Sequence, residues 1–356
     1  MSVITRRESI KKAGRFLVGA ATCAIYPSFL SGCSDKELDQ SIVAHISKKT
    51  SYADIGKLKL TVLYDNIPYK KGLRTDWGFS CLVEGIDKPI LFDAGRYDDL
   101  FLSNLSKLQI DSHQIDNLFI SHDHPDHIGG VLKFLEIRPE INLALVKSFR
   151  AGFKKAVRKL GADITEIDRP SPVTNNCFSV GEMKSFVKNE HALVILTDKG
   201  SIIITGCAHP GIVEIVERTK KITNDEVLLV MGGFHLLMDG GSSIRKKATR
   251  LKELGVQYVA PTHCSGEEAQ QIFARLYSDR YLDSGLGRII TANDFTLPAL
   301  IRADASTTEQ VTISTPPATS SCNPGAAPLD GTQGAAAGSA PAVFSIPASA
   351  RCQMPP

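Results

Sequence analysis

Three histidines and two aspartates lie within six positions of one short segment, SHDHPDHIGG at residues 121–130. The chain of 356 residues has only nine histidines, so this loop holds a third of them. An apolar run, NLFI, comes just before the segment, and Gly129 and Gly130 open a new apolar pattern after it. A solvated polar turn would not need this density of imidazoles and carboxylates, which are common ligands of zinc, iron and manganese. The segment therefore predicts a metal site.

The spacing His-x-His-x-Asp-His suits two ions held by one tight loop. His122 and His124 can turn to one side and meet one ion, while Asp126 and His127 meet a second. These ligand types favour one or two Zn²⁺ ions, with Mn²⁺ or Fe as alternatives, and catalytic sites leave a coordination position to water. Two neighbouring ions can activate that water and stabilise a substrate oxyanion. Asp126 could instead cap the helix that is predicted to begin near Ile128.

Three more histidines come directly after strand-like apolar runs. His209 follows SIIITGCA, His235 follows VLLVMGGF and His263 follows QYVAPT. Side chains at strand ends have a rigid base and stay open to solvent, which is where α/β sheets place their ligands. We expect them to join the loop, although buried structural roles are the alternative for His209 and His263. The remaining histidines are predicted to be structural or solvated: His45, His113 and His191.

The elements that must position these residues alternate between residues 56 and 295. Strand-like runs include KLKLTVLYD, GFSCLVEG, KPILFDAG, DNLFIS, INLALV, HALVILTD, GSIIITG, EVLLVMGG and VQYVAPTH. Helical periodicity falls at 97–108, 128–137, 148–159, 210–221, 242–254 and 266–278. Early strands follow one another closely and later ones alternate with helices. This order predicts an α/β fold of two packed mixed sheets with helices outside, which is a four-layer arrangement.

The two ends of the chain differ from this body in composition. Residues 1–33 combine a twin arginine (Arg6 and Arg7), a short apolar segment and the sequence LSGC ending at Cys33. This pattern resembles a Tat-like export signal with a bacterial lipobox, which predicts a periplasmic or cell-envelope lipoprotein anchored through Cys33. An amphipathic first helix with a chance cysteine is the alternative. Residues 34–55 are predicted to be a linker.

Residues 305–356 are rich in Pro, Ala, Ser, Thr and Gly and are predicted to be a disordered tail. Cys322 and Cys352 could pair there in an oxidising compartment, although the sequence assigns no connectivity. Elsewhere 43% hydrophobic residues and a net charge of +3 are ordinary for a globular protein. No basic stripe interleaved with aromatics points to nucleic acid, so a small-molecule substrate is expected. The sequence leaves the oligomeric state open.

The motifs together resemble those of the metallo-β-lactamase superfamily, whose fold is an αββα sandwich. SHDHPDHIGG and LFDAG carry the superfamily resemblance. LYDNIP, WGFSCLVEG, TGCAHPGIVEIVE, MGGFHL and APTHCSG are similar to the branch of 7,8-dihydropterin-6-yl-methyl-4-(β-D-ribofuranosyl)aminobenzene 5′-phosphate synthase. The resemblance covers nearly all of residues 56–295.

The resemblance implies two sets of three metal ligands. The first set is His122, His124 and His209. The second set is Asp126, His127 and His263.

One position departs from the superfamily pattern. Where MGGFHL stands, members commonly supply an aspartate that bridges the two ions, and this chain has His235. His235 can bind metal or hydrogen-bond substrate, and Asp239 is the second candidate for the bridge. Asp93, in LFDAG, resembles an aspartate that orients a metal-bound histidine, with a turn-forming role as the alternative.

Several neighbouring residues have two interpretations or a purely structural one. Branch motifs place Asn66, Trp77 and Ser80 near a substrate mouth, although ordinary turn and core positions are equally compatible. Cys207 and Cys264 adjoin ligand histidines, but residues that neighbour on an extended segment point opposite ways, so we expect both to pack. Cys81 is expected to be a small core residue.

These features predict a metal-dependent hydrolase in which metal-activated water attacks an ester, lactone, amide or phosphoester. Asp126 is the best candidate to orient or deprotonate that water, and His235 is the second catalytic candidate. A transferase that condenses a dihydropterin with an aminobenzene ribofuranosyl phosphate is one alternative. A non-catalytic metal-binding lipoprotein is the other.

Overall fold

Two sheets face each other in the computed structural model, which describes residues 40–296. The first sheet has the order β13-β1-β2-β3-β4-β5-β6 and the second β12-β11-β10-β9-β8-β7. The strands of the first sheet are β1 Lys59–Tyr64, β2 Ser80–Glu84, β3 Ile90–Phe92, β4 Asn117–Ile120, β5 Asn142–Val146, β6 Asp163–Ile167 and β13 Ile289–Thr291. Those of the second sheet are β7 Ser171–Pro172, β8 Cys177–Ser179, β9 Leu193–Thr197, β10 Gly200–Thr205, β11 Val227–Gly233 and β12 Val256–Thr262.

Helices cover the outer face of each sheet, so the predicted four-layer αββα sandwich is confirmed. The helices are α1 Gln40–Lys49, α2 Asp98–Lys107, α3 Pro125–Ile128, α4 Val131–Ile137, α5 Ala151–Lys159, α6 Ile212–Thr223, α7 Gly241–Glu253 and α8 Glu267–Tyr277. One apolar cluster, which includes Phe92 and Met231, fills the space between the sheets. A second joins α2, α4 and α5 to the first sheet, and a third joins α1, α6, α7 and α8 to the second.

The central strands are buried on both faces, which explains their continuous apolar sequences. All five residues of β9 and all seven of β11 are buried. In the first sheet β3, β4, β5 and β6 run parallel, and in the second β10, β11 and β12 run parallel. The carboxyl ends of parallel neighbours open at one edge, so loops that follow them meet there.

The structure changes the prediction for the segment before the domain. The predicted linker over 34–55 is wrong for residues 40–55, because α1 forms there and buries Ile46. Ala53 then pairs with Thr197 of β9 through backbone hydrogen bonds. Four strands without a strong alternating pattern also went unpredicted: β6, β7, β8 and β13.

The predicted export signal with Cys33 and the predicted tail with Cys322 and Cys352 lie outside the described residues. Within residues 40–296, none of the helices is long and apolar enough to span a membrane.

Candidate metal centre

Six imidazole rings meet at the edge where β4, β10, β11 and β12 end. The rings of His122 and His127 lie 4.2 Å apart between centroids, and those of His122 and His209 lie 4.6 Å apart. The ring centroids of His127 and His263 lie 5.1 Å apart, and those of His209 and His235 lie 4.6 Å apart. His124 completes the group through His122 at 4.7 Å. The structure thus brings together all six histidines that the sequence singled out.

Two sets of donor atoms can be distinguished within this group. In the first, His122 Nε2 and His124 Nδ1 lie 3.1 Å apart, and His209 joins them within 4.8 Å. In the second, Asp126 Oδ2 lies 3.5 Å from His127 Nε2 and 3.4 Å from His263 Nε2. These sets have the membership that the family resemblance implied.

The ring nitrogens that face away from the centre are held by acceptors. His127 Nδ1 donates to Asp93 Oδ2 at 2.7 Å, and His263 Nδ1 donates to Asn66 Oδ1 at 2.9 Å. An outward N–H held in this way fixes the tautomer and leaves Nε2 free to bind a cation. The structure therefore places Asp93 behind a histidine of the second set, the position that its orienting role requires.

His122 is held by a relay that also begins at Asp93. Its Nδ1 donates to Ser121 Oγ at 2.9 Å, and Ser121 Oγ donates to Asp93 Oδ2 at 2.7 Å. The backbone N–H of Ser121 donates to the other oxygen of Asp93 at 2.8 Å. One buried carboxylate thereby orients a histidine of each set, a role for Ser121 that sequence reasoning missed.

Glu190 is a second buried carboxylate that sequence reasoning missed. Its Oε2 accepts from Nδ1 of His209 at 2.8 Å and from the backbone N–H of His209 at 2.9 Å. Its Oε1 accepts from the backbone N–H groups of Cys207 and Ala208 at 2.8 and 2.9 Å. The signal in the sequence was a carboxylate, adjacent to His191, that opens the buried run of β9. Glu190 fixes the backbone segment that carries a first-set ligand.

The strand ends at the centre adopt unusual backbone conformations. Asp93, Ala208, His235 and His263 all have φ between 51° and 59°, a region that residues other than glycine seldom occupy. Such conformations persist where the surrounding structure over-determines them, and they concentrate at functional sites. A Cβ on Gly206 would lie 2.1 Å from Ser121 Oγ, so only glycine lets the end of β10 approach β4 this closely.

The electrostatics prepare the first set for a cation. Burial and the neighbouring imidazoles lower the pKa of His122 well below its ordinary value and that of His124 to about 4. Both rings are therefore neutral at neutral pH and present lone pairs. Burial alone would raise the pKa of Asp126, but the neighbouring His127 and His263 imidazoles hold it below its ordinary value, so Asp126 is ionised.

His235 and Asp239, the two candidates for the bridging position, are placed differently. His235 is exposed and lies at the rim beside His209. The Asp239 carboxylate binds Ser243 Oγ and Lys247 Nζ, each at 2.7 Å. Asp239 is thus held by the start of α7, and among the described residues it belongs to none of the donor groups.

Of the residues that the sequence left with two interpretations, some contact the metal centre and others lie in the core. Asn66 and Trp77 contact His263, Asn66 by hydrogen bonds and Trp77 by a ring contact at 4.9 Å. Ser80 is buried and donates to the backbone oxygen of Asp93, beneath the site rather than at its mouth. His191 is fully buried in the core, and Cys81 is a core residue of β2.

The expectation that Cys207 packs is wrong, because its sulfur points among ring nitrogens of the second set. Its Sγ lies 3.3 Å from His127 Nε2 and 3.5 Å from His263 Nε2. Cys207 stands two residues before His209, and the left-handed backbone at Ala208 between them breaks the alternation expected of an extended segment. Cys264 is buried with its Sγ 3.7 Å from the backbone oxygen of Cys207.

The donor atoms fit a transition-metal ion. Two nitrogens about 2.0 Å from a tetrahedral zinc ion lie about 3.3 Å apart, and a carboxylate oxygen and a nitrogen are similarly spaced. The observed separations of 3.1 Å in the first set and 3.4–3.5 Å in the second match this spacing. Both sets have three protein donors, the number that leaves a position open at catalytic sites.

Comparison with known families agrees with the fold. The sequence model of the Metallo-beta-lactamase superfamily matches residues 78–263, just over half of the chain and the stretch from before the histidine loop to His263. The chain belongs to the metallo-beta-lactamase superfamily. The family predicted from the motifs is confirmed.

Individual proteins and a solved structure are also similar to this chain. One is 7,8-dihydropterin-6-methyl-4-(beta-D-ribofuranosyl)-aminobenzene-5′-phosphate synthase of Methanocaldococcus jannaschii, 30% identical over 67% of this chain and 98% of that protein. The uncharacterized protein MJ0448 of the same organism is 30% identical over 65% of this chain and 99% of its own length. Among solved structures, Tm1679, a metal-dependent hydrolase of the beta-lactamase superfamily, is 29% identical with a TM-score of 0.56, covering 65% of this chain and 98% of that one.

Proposed function

We propose that this superfamily member is a metal-dependent hydrolase that cleaves an ester, lactone, amide or phosphoester with activated water. The observation that supports this most strongly is the meeting of six imidazoles and the Asp126 carboxylate where strands of both sheets end. Histidines that only support a core need no such grouping, and they do not need their outer nitrogens fixed by carboxylates. Zn²⁺ fits the donor set, and we propose it as the metal.

The histidines of the centre differ in how deeply they are buried. His122, His127 and His263 are buried, whereas His124 and His209 are partly exposed and His235 is exposed, so substrate approaches from the side of the first set. A bound zinc ion supplies Lewis acidity and lowers the pKa of water towards about 7. Asp126 is ionised and partly accessible, so its carboxylate can accept a hydrogen bond from the attacking water and orient it.

His235 is proposed to hold the substrate. Its ring lies at the open rim, 4.6 Å between centroids from His209, and its backbone φ of 51° is maintained despite its exposure. Trp77 contacts His263 of the second set. Together, His235 and Trp77 supply a hydrogen-bonding imidazole and an aromatic surface beside the two sets of donors.

A transferase reaction is the second candidate, and one comparison favours it. The synthase of Methanocaldococcus jannaschii is matched over 98% of its length. The metal centre would then bind a phosphate-containing leaving group rather than water. We favour hydrolysis, because the predicted export signal would place the protein at the cell envelope through Cys33, away from cytoplasmic pterins.

The test combines metal analysis with substrates. The full chain would be purified, its zinc content measured, and phosphodiester, lactone and ester hydrolysis compared with pterin condensation. His124→Ala should abolish hydrolysis and reduce bound zinc, because it removes one of three first-set ligands. His113→Ala is the matched control, since His113 is exposed and its backbone N–H binds Asp111 rather than a residue of the centre.

Wild-type turnover in His124→Ala would refute the proposal. Condensation without hydrolysis in the wild-type protein would assign the transferase function instead. Export is tested separately, by locating the protein in cell fractions before and after Cys33→Ser. Soluble release of this variant is expected if Cys33 is the site of a lipid anchor.

A further inference from the structure

The sulfur of Cys207 lies where a metal ligand would be. It is 4% exposed, and it lies 3.3 Å from His127 Nε2 and 3.5 Å from His263 Nε2. Those two nitrogens are also the ones that approach Asp126 Oδ2. Both ring nitrogens are therefore approached by the sulfur of Cys207 as well as by the Asp126 carboxylate.

The distances match coordination geometry. A thiolate sulfur about 2.3 Å from a tetrahedral zinc ion and an imidazole nitrogen about 2.0 Å from it are about 3.5 Å apart. Both observed sulfur–nitrogen separations agree with this value. A thiol that only filled space would be expected to meet carbon atoms of the core rather than two free ring nitrogens.

The backbone is built to hold the sulfur in this place. Glu190 accepts from the N–H of Cys207 and fixes the next two residues as well. Ala208 has φ of 59°, which turns the chain so that Cys207 and His209 both reach the centre. A Cβ on Gly233 would lie 3.2 Å from the Cys207 Cα, so the neighbouring strand end also leaves room for this approach.

The sulfur also reaches the first set. It lies within 4.8 Å of donor atoms of His122 and His127 in one group, and of His209 and His235 in another. This is the region between the two ion positions, where the aspartate of the superfamily pattern is replaced by His235 in the sequence. The chain thus offers a sulfur donor near the place where superfamily members commonly have the bridging aspartate.

We propose that Cys207 supplies a thiolate ligand to the metal centre, binding the ion held by Asp126, His127 and His263. The inference rests on the proposed metal centre and assigns it a mixed sulfur, nitrogen and oxygen ligand set. Thiolate favours zinc and iron over manganese, so Cys207 also makes the second position selective for softer ions.

The experiment measures the ligand directly. X-ray absorption at the zinc edge of the zinc-loaded full chain should show a sulfur scatterer about 2.3 Å from zinc. Cys207→Ser should lose this scatterer, whereas Cys264→Ser, a matched change at the next buried cysteine, should retain it. Cobalt-loaded protein gives a second readout, because the sulfur-to-cobalt charge-transfer absorption should disappear only in Cys207→Ser.

The outcomes separate this inference from the proposed function. Zinc bound with nitrogen and oxygen scatterers alone in the wild-type protein would overturn the role of Cys207 and leave the hydrolase proposal intact. Loss of the sulfur signal in Cys264→Ser but not in Cys207→Ser would overturn it too. Failure of the wild-type chain to bind zinc, cobalt or iron would overturn both proposals. If Cys207→Ser does not fold, the wild-type spectrum still tests the proposal, because it shows whether sulfur binds the zinc ion.

Discussion

Glu190→Gln is the substitution that tests most directly how the buried framework supports the metal centre. The Glu190 carboxylate accepts four hydrogen bonds of 2.8–2.9 Å, three from consecutive backbone N–H groups and one from the His209 ring. It is fully buried. Glutamine has nearly the same shape but has only one acceptor oxygen, so the change removes acceptors and charge without opening a cavity.

The magnitude follows from the number of donors left unpaired. The single oxygen of glutamine can keep the two bonds of one carboxylate oxygen, and its NH₂ group faces the other two donors. Each buried donor without a partner costs about 1–3 kcal/mol, so the free energy of unfolding should fall by about 2–6 kcal/mol. Because His209 loses its fixed tautomer, zinc affinity should fall about 10–100-fold, the usual effect of removing such a partner.

Two measurements check this prediction. Urea unfolding of the metal-free protein gives the free energy of unfolding, and competition with a chromophoric chelator gives the zinc affinity. Glu182→Gln is the matched control, since Glu182 precedes Glu190 by eight residues and binds Asn189 and the backbone of Ser148 instead of the histidines. Zinc affinity of the control should equal that of the wild type.

An unchanged zinc affinity in Glu190→Gln would refute the reasoning. It would mean that packing alone holds His209 and that the carboxylate contributes nothing to ligand orientation. A loss of stability together with unchanged affinity would limit Glu190 to the fold.

Two further predictions concern the other buried polar groups. Asp93→Asn should weaken zinc binding about 10–100-fold, because it disrupts the contacts to His127 and Ser121, and the chelator competition would show it. Burial lowers the pKa of His191 from 6.5 to about 4, so the unfolded chain binds its proton first as pH falls. Wild-type stability should therefore lose about 3 kcal/mol between pH 6.5 and 4 through this group, and His191→Gln should remove that share of the pH dependence in urea unfolding. An identical pH profile in the variant would contradict the assignment.

The sequence predicted the layers of the fold because its central strands are buried on both faces. Runs such as VILT and LLVM cannot be exposed, and the helical runs between them have an apolar face of period 3.6. The elements that the sequence did not predict are segments whose structure depends on contacts with residues far away in the chain. β6 is largely exposed at a sheet edge, and α1 is stabilised by packing on the second sheet rather than by a distinctive sequence pattern.

The residues of the metal centre also include some that the sequence predicted and some that it did not. The histidines could be found in advance, because ligands that must be rigid stand directly after strands and imidazole is uncommon in this chain. Glu190 and Ser121 could not, because a carboxylate or hydroxyl becomes a positioning group only through a partner that another strand supplies. Glu190 is 19 residues from His209, and nothing in the local pattern connects them.

By itself, the sequence therefore predicted the class of fold from residue type and order along the chain. The resemblance of its motifs to a known family predicted the superfamily and the candidate imidazole and carboxylate donors. Only the tertiary structure decided which nitrogen of each ring faces inward, that Asp239 is bound by Lys247, and that the sulfur of Cys207 joins the centre. Cys207 and His127 are 80 residues apart, and their side chains meet beside Ala208 and His263, which both have positive φ values. Such contacts depend on the packing of two sheets, which a linear pattern does not contain.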